Sequence, residues 1–381
     1  MPEGEITRFS TEAIFNEQYI SAEESLDFLK NKDNFMTISK GLARELGNLG
    51  YAGEADELYR ILRKKMKDQG VAPADATIKG WLFDNILPKR QLALKLCFAL
   101  ELSPEQAVQF LNRACFQNGF SLRSAEEIVY LYCLKYKKSF THATALLQQL
   151  RDIDSVEADA ELKGTKLIKE EQDKLPDDDR MLLLWLATRS INFTGQSQTA
   201  YDWYVSLKQA VVDAIRSSPG FSEIDKENPD SDTDYNDKEI SYDKLLQYLY
   251  LDLDIVLRGK KRPEADFKSL KESGISDTLS GIPLPEQLKK IERKEIGVDR
   301  EVLITLMFFS RFYNDYEEWE HPYDDFYADM NVCLDECGMG LLYPPNPFDW
   351  LILKCVNSLE ADGEDPVVYF NEILGMSFGE D

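Results

Sequence analysis

Histidine is nearly absent: His142 and His321 are the only two in 381 residues. That scarcity removes most of the acid–base, nucleophilic and metal chemistry that runs on imidazole. No Gly-x-Gly-x-x-Gly, phosphate loop, nucleophile elbow or His-Glu-x-x-His occurs, so nucleotide-binding, hydrolase-elbow and zinc-protease readings have no anchor. Six cysteines sit inside apolar helical patterns; Cys333 and Cys337 are one turn apart, but no second pair lies nearby. A tetrahedral metal site needs four ligands, so no metal and no cofactor are expected. No apolar run approaches the length of a membrane span, and nothing after Met1-Pro2-Glu3-Gly4-Glu5 reads as a signal peptide. Together these absences predict a soluble, reduced, bacterial cytoplasmic protein with no membrane contact and no enzymatic activity.

Positive charge is also in deficit. Lysine and arginine number 44 against 69 acids, a formal net charge of −25, which works against contact with nucleic acid or anionic membrane over most of the surface. The distribution is uneven. Segment 221–240 carries eight acids against two lysines with almost no apolar content and reads as a disordered acidic linker. Arg60, Arg63, Lys64, Lys65 and Lys67 crowd one predicted helix, and Arg258-Gly-Lys-Lys-Arg262 forms a short basic loop.

What the chain has is helical period. Residues 34–48, 55–69, 90–100, 104–117, 124–138 and 141–151 place apolar residues at three and four spacing, with Gly and Pro at the joins. The pattern resumes at 181–190 and 201–216, then at 241–257, 285–295, 299–315, 324–338, 346–359 and 365–375. No strand pattern is evident, so the fold class is all-α. The predicted organisation is a helical unit over 1–152, connecting helices over 153–220, the acidic linker, and a second helical unit over 241–381.

The two units share a spelling. Arg90-Gln-Leu-Ala-Leu-Lys-Leu96-Cys-Phe98 and Arg300-Glu-Val-Leu-Ile-Thr-Leu306-Met-Phe308 each read Arg, apolar block, Leu, one residue, Phe. Each is followed by a cysteine pair at one spacing, Cys115 to Cys133 and Cys337 to Cys355, with Ser124 aligned to Asn346 and Glu127 to Asp349. Ser124 and Asn346 are good N-caps with an acid three positions on, which predicts a helix opening at the same place in both copies. An internal duplication is expected. The second copy is longer by a dozen residues, and the insertion at 313–323 is aromatic and acidic. Tyr313, Tyr316, Trp319 and Tyr323 are its candidate partner-docking residues.

One stretch carries a family likeness. Thr77-Ile78-Lys79-Gly80-Trp81-Leu82 is followed by Pro88-Lys89-Arg90, an apolar helix through Leu100, and Leu102-Ser103-Pro104-Glu105-Gln106-Ala107. Residues 57–117 thereby resemble Cro/lambda-repressor-type helix-turn-helix domains. The resemblance implies that Thr77 and Lys79 lie on a recognition helix, with Ile78, Trp81 and Leu82 inward. Lys64, Lys65, Lys89 and Arg90 would then be candidate DNA contacts beside them. Gly70 and Pro73 break the chain between Lys67 and Thr77, so the family's separate leading helix has no counterpart there. The C-terminal cadence Leu341-Leu342-Tyr343-Pro344-Pro345-Asn346-Pro347-Phe348-Asp349-Trp350 is similar to uncharacterised helical proteins of Gram-positive gut bacteria, a likeness that implies no activity.

These observations predict a regulatory or scaffold protein acting on a protein partner. The alternatives left open are a DNA-binding regulator using residues 77–95, with the remainder forming a homodimer or sensing, and a helical adaptor or effector of a bacterial defence system.

Overall fold

The computed structural model describes residues 3–16, 21–153, 165–193, 197–217, 240, 242–250, 282–313 and 320–377. The expected acidic linker apart from Ile240, the basic loop Arg258–Arg262, Tyr316 and Trp319 lie outside the described residues. Among the described residues every regular element is a helix and none is a strand. The all-α class read from the periodicity holds. None of these helices is long and apolar enough to cross a membrane.

The chain opens with a helix pair, α1 (Glu3–Ile14) and α2 (Ala22–Lys30), closed by a 3₁₀ turn over Lys32–Asn34. Ser21 starts α2 with a capping box, its hydroxyl accepting the Glu24 amide while Glu24 reaches back. Then follow α3 (Ile38–Asn48), α4 (Ala55–Asp68), α5 (Asp75–Phe83), α6 (Arg90–Ala99), α7 (Pro104–Arg113), α8 (Ala125–Lys135) and α9 (Phe140–Arg151). The next pair is α10 (Thr165–Asp173) and α11 (Asp179–Thr188), followed by a 3₁₀ turn over Ser190–Asn192. The remainder is α12 (Gln198–Ser217), α13 (Tyr242–Tyr250), α14 (Pro285–Glu292), α15 (Arg300–Phe312), α16 (Pro322–Glu336), α17 (Pro347–Asp362) and α18 (Pro366–Ser377).

These boundaries have local causes. Ser103 caps α7 through its hydroxyl and Gln106, with Pro104 in the first turn where no intrahelical donor is lost. Ser124, Asp178 and Asn346 accept first-turn amides of α8, α11 and α17, and Pro347 opens α17. At the end of α5, Asn85 adopts φ 55° and lets the Ile86 amide donate back to the Gly80 carbonyl at 2.9 Å.

The chain divides into two compact units. The early unit comprises 36–198 with 337–340; the split unit comprises 1–35, 199–336 and 341–381. In the early unit Leu42, Leu62, Trp81, Leu94, Cys97, Phe110, Tyr132, Cys133 and Leu182 form one apolar core. Ile78, Trp81 and Leu82 point inward as the helical period predicts. In the split unit Phe308, Phe309, Phe312, Phe326 and Phe370 make a chain of ring contacts on α15, α16 and α18. Such rings give large apolar burial plus directed edge contacts.

The division departs from the sequence-based boundary at 152. Residues 1–35 do not complete the helices that follow them: α1 packs on α17, and α2 packs on α18. Likewise the segment read as connecting helices is shared out. α10 and α11 belong to the early unit and α12 to the split unit.

Candidate functional site

The candidate surface of the early unit is made by α4, α5 and the loop into α6. α4 ends at Asp68 and α5 begins at Asp75, with no helix in the six-residue connection between them. On this face some of the basic residues are engaged by acids or rings. Lys65 pairs with Glu101 at 2.7 Å and lies 5.3 Å from the centre of the Tyr51 ring. Lys79 is exposed and lies 5.6 Å from the Tyr59 ring. Arg63 pairs with Asp75 at 2.8 Å. Loss of water around Tyr59, reinforced by Asp75, pushes the Tyr59 phenol above its usual range. Lys64 and Lys89 are exposed, and Thr77 is half-buried.

Arg90 is the most changed from expectation. It is half-buried, and its Nε and Nη2 donate to the two oxygens of Glu127 at 3.1 and 2.5 Å. Nη2 also donates to the Gly119 carbonyl at 2.6 Å, and Nη1 to the Asn118 carbonyl. The Ser121 amide completes the set by donating to Glu127 Oε2 at 2.7 Å. A guanidinium so occupied has a fixed fork and little left to offer a phosphate.

The split unit contains the same device. Arg300 donates through Nη1 and Nη2 to the two oxygens of Asp349 at 2.7 and 2.6 Å, and Nη2 also reaches the Leu341 carbonyl at 3.0 Å. The Tyr343 amide donates to Asp349 Oδ2 at 2.7 Å. In both units the amide stands six residues before the acid and the carbonyl eight residues before it. Neither arginine's partner was identified from sequence, although all four residues were aligned there. The signal available was a bulky cation and an acid recurring together at the heads of apolar helices.

At the far end of α5 the character of the surface changes. Phe83, Ile86 and Leu87 are 45%, 60% and 37% exposed within five residues of chain. Gly80 is buried because Ile86 folds back over it. This apolar ledge is the strongest candidate contact surface on the early unit.

Two polar clusters were not read from sequence. Lys138 reaches Asp177 and Asp179 at 2.6 and 2.7 Å and the Tyr132 hydroxyl at 3.2 Å, while His142 Nε2 lies 2.9 Å from Asp179. Burial raises the Asp179 carboxyl, but Lys138 and Tyr132 outweigh it and hold the group below the usual carboxylate range. The cluster fastens the start of α11 to α8 and α9. In the split unit Lys208 holds Glu292 at 3.1 Å and lies over the Tyr204 and Tyr242 rings. That network joins α12, α13 and α14.

Of the expected docking residues, Tyr313 follows directly on α15, and Tyr323 is not in a loop. It sits in the first turn of α16, buried, with its ring edge-on to Phe15 at 4.9 Å. All six cysteines are buried and free; Cys133 is pushed up to about 12 by burial, so thiolate chemistry is suppressed. No three His, Cys, Asp or Glu residues among those described are placed to share a metal.

No protein-family model, no curated protein and no solved structure matches this chain.

Proposed function

We propose that the chain is a non-enzymatic bacterial regulatory or scaffold protein acting through protein–protein contact in the cytoplasm. In this reading its two units descend from one helix-turn-helix-type helical ancestor. The observation that carries it is Arg90. Arg90, a candidate phosphate contact, is held by Glu127, and Arg63 and Lys65 of α4 meet Asp75 and Glu101. Acids thereby interrupt the basic stripe that groove docking needs. Beside it the Phe83–Ile86–Leu87 ledge offers apolar contact area, and a net charge of −25 favours a basic partner with an apolar face.

The test has two arms. Titration of labelled duplex DNA with the full chain, at low and then rising salt, is expected to give no saturable, salt-dependent binding at micromolar protein. A photo-cross-linker at position 86, in its native cells, is expected to capture one protein in a defined ratio, and Phe83→Asp to abolish that capture. Salt-dependent DNA binding that falls on Lys79→Ala or Lys89→Ala replaces this reading with the DNA-binding one.

A further inference from the structure

The two units are completed in the same way from different parts of the chain. In the early unit, α8 and α9 are completed by the helix pair that follows them, α10 and α11. Lys135 of α8 donates to the Asp173 and Leu175 carbonyls at the end of α10, at 2.8 and 3.4 Å, and the Tyr136 hydroxyl donates to Leu175. In the split unit, Asn357 of α17 donates to the Ile14 carbonyl at the end of α1 at 3.1 Å, and Lys354 donates to the same oxygen at 3.0 Å. Lys135 and Asn357 stand at one register, each eleven residues after the N-caps Ser124 and Asn346. Cations and amide donors at a helix C-terminus satisfy carbonyls that have no partner within the helix.

The completing pairs match as well. α2 is followed by a 3₁₀ turn ending in Asn34-Phe35, and α11 by one ending in Asn192-Phe193. Phe35 meets Phe28 at 5.4 Å in the first pair, and Phe193 meets Trp185 at 5.8 Å in the second. Along the chain the order is therefore pair, core, pair, core. The second pair serves the core before it, and the first pair serves the last core.

We propose that a second copy of this chain can supply the first pair: α1–α2 of one copy docks on α17 and α18 of another, and the exchange is reciprocal. The seam is specific enough to be recognised in trans. Trp350 donates its indole N–H to the Ser10 carbonyl at 3.0 Å and stacks on Phe28 at 4.5 Å; Ser25 and Tyr369 share a hydroxyl contact of 2.8 Å. Ile6, Ile14, Leu26 and Leu29 are buried there. The bonded partners lie 340 to 344 residues apart in sequence. None of these contacts depends on the two sides being one chain, so exchange keeps them all. A core lacking its pair exposes the Trp350 ring and the apolar face that Ile6, Ile14, Leu26 and Leu29 otherwise cover, a costly state that favours capture of another pair. Closure within one chain is favoured at low concentration because both sides of the seam belong to one covalent chain, and exchange at high concentration. This proposal is independent of the ledge on α5 and of its partner.

The test uses full-length copies. Tyr343 and Glu3, partners across the seam at 3.1 Å and only part-buried, are replaced separately as Tyr343→Cys and Glu3→Cys. The two variants are unfolded together, refolded concentrated, and treated with a short bis-maleimide; the native cysteines are buried. A covalent dimer on a denaturing gel, increasing with refolding concentration, is expected. The double variant in one chain, refolded dilute, is expected to link internally. Internal linking without any dimer from the mixed pair overturns the proposal. So does light scattering that finds only the 43.8 kDa species after concentrated refolding of the unmodified chain, or a dimer that the mixed pair does not cross-link.

Discussion

Arg300 closes on Asp349 through two parallel hydrogen bonds, and neither side chain is reached by more than a trace of solvent, at 8% and 0% exposure. Charges so placed are stable only while each satisfies the other, because the desolvation cost of both has already been met on folding. Asp349→Ala removes both carboxylate acceptors and leaves the buried guanidinium with the Leu341 carbonyl and Glu301, 3.8 Å away, and is expected to destabilise the split unit by about 3–5 kcal/mol. Arg90 and Glu127 are more exposed, at 31% and 13%, so Glu127→Ala is expected to cost less in the early unit. Urea unfolding followed by hydrogen exchange, which resolves the units, measures both. Replacing Arg300 and Asp349 together by Met and Leu is expected to recover much of the single-variant loss.

Lys354 is 3% exposed and gives its ammonium to the Ile14 carbonyl. Lys354→Met keeps the stem and removes the donor, leaving Asn357 alone on that oxygen. A loss of about 1–3 kcal/mol is expected, read as faster amide exchange across residues 3–14. Lys135→Met, which removes the lysine donor to the end of α10 from a half-buried position, is expected to cost under about 1 kcal/mol. Equal losses at the two positions contradict the argument from burial.

Glu301 gives a pH dependence of unusual sign. Burial pushes its carboxyl from 4.5 up to about 7, against the pull of Arg300. The folded state therefore binds a proton that the unfolded state has released between those pH values. Stability falls as pH rises from about 4.5 through 7, and the cost is complete above that window. Glu301→Gln abolishes the slope. Since the side chain keeps 21% exposure, the gain expected at pH 8 is about 2 kcal/mol, vanishing near pH 4.5. A thermal-unfolding series across that range measures it.

Gly41 lies in the middle of α3, where alanine is ordinarily the better helix former by about 1 kcal/mol. Here a Cβ meets the Cβ of Ala114 inside contact distance, with the Ala114 backbone close behind. Neither can swing away. Gly41→Ala is expected to destabilise the early unit by about 1–3 kcal/mol, and an increase in melting temperature contradicts the contact.

The helices were legible because their determinants are local. Asn346-Pro347 and Ser103-Pro104 mark starts through chemistry confined to one turn, and α17 and α7 begin where those residues say. The start of α3 was placed at 34 from apolar period alone, whereas Thr37 caps it and Ile38 is its first residue. What sequence could not show was the assignment of α1 and α2. Their surroundings are Trp350, Lys354 and Tyr369, and no period or spacing records a contact made across 340 residues. Arg90 was misplaced for the same reason. The helix-turn-helix resemblance put it beside Lys89 as a candidate DNA contact, while the acid that pairs with it stands 37 residues on.

The placement of α1 also sets a clock on biosynthesis. Ser10 leaves the ribosome 340 residues ahead of the indole it will bind, and at about 5–20 residues per second that is a delay of roughly 20–70 s. During that interval α1 and α2 carry an apolar stripe whose covering surface has not been made.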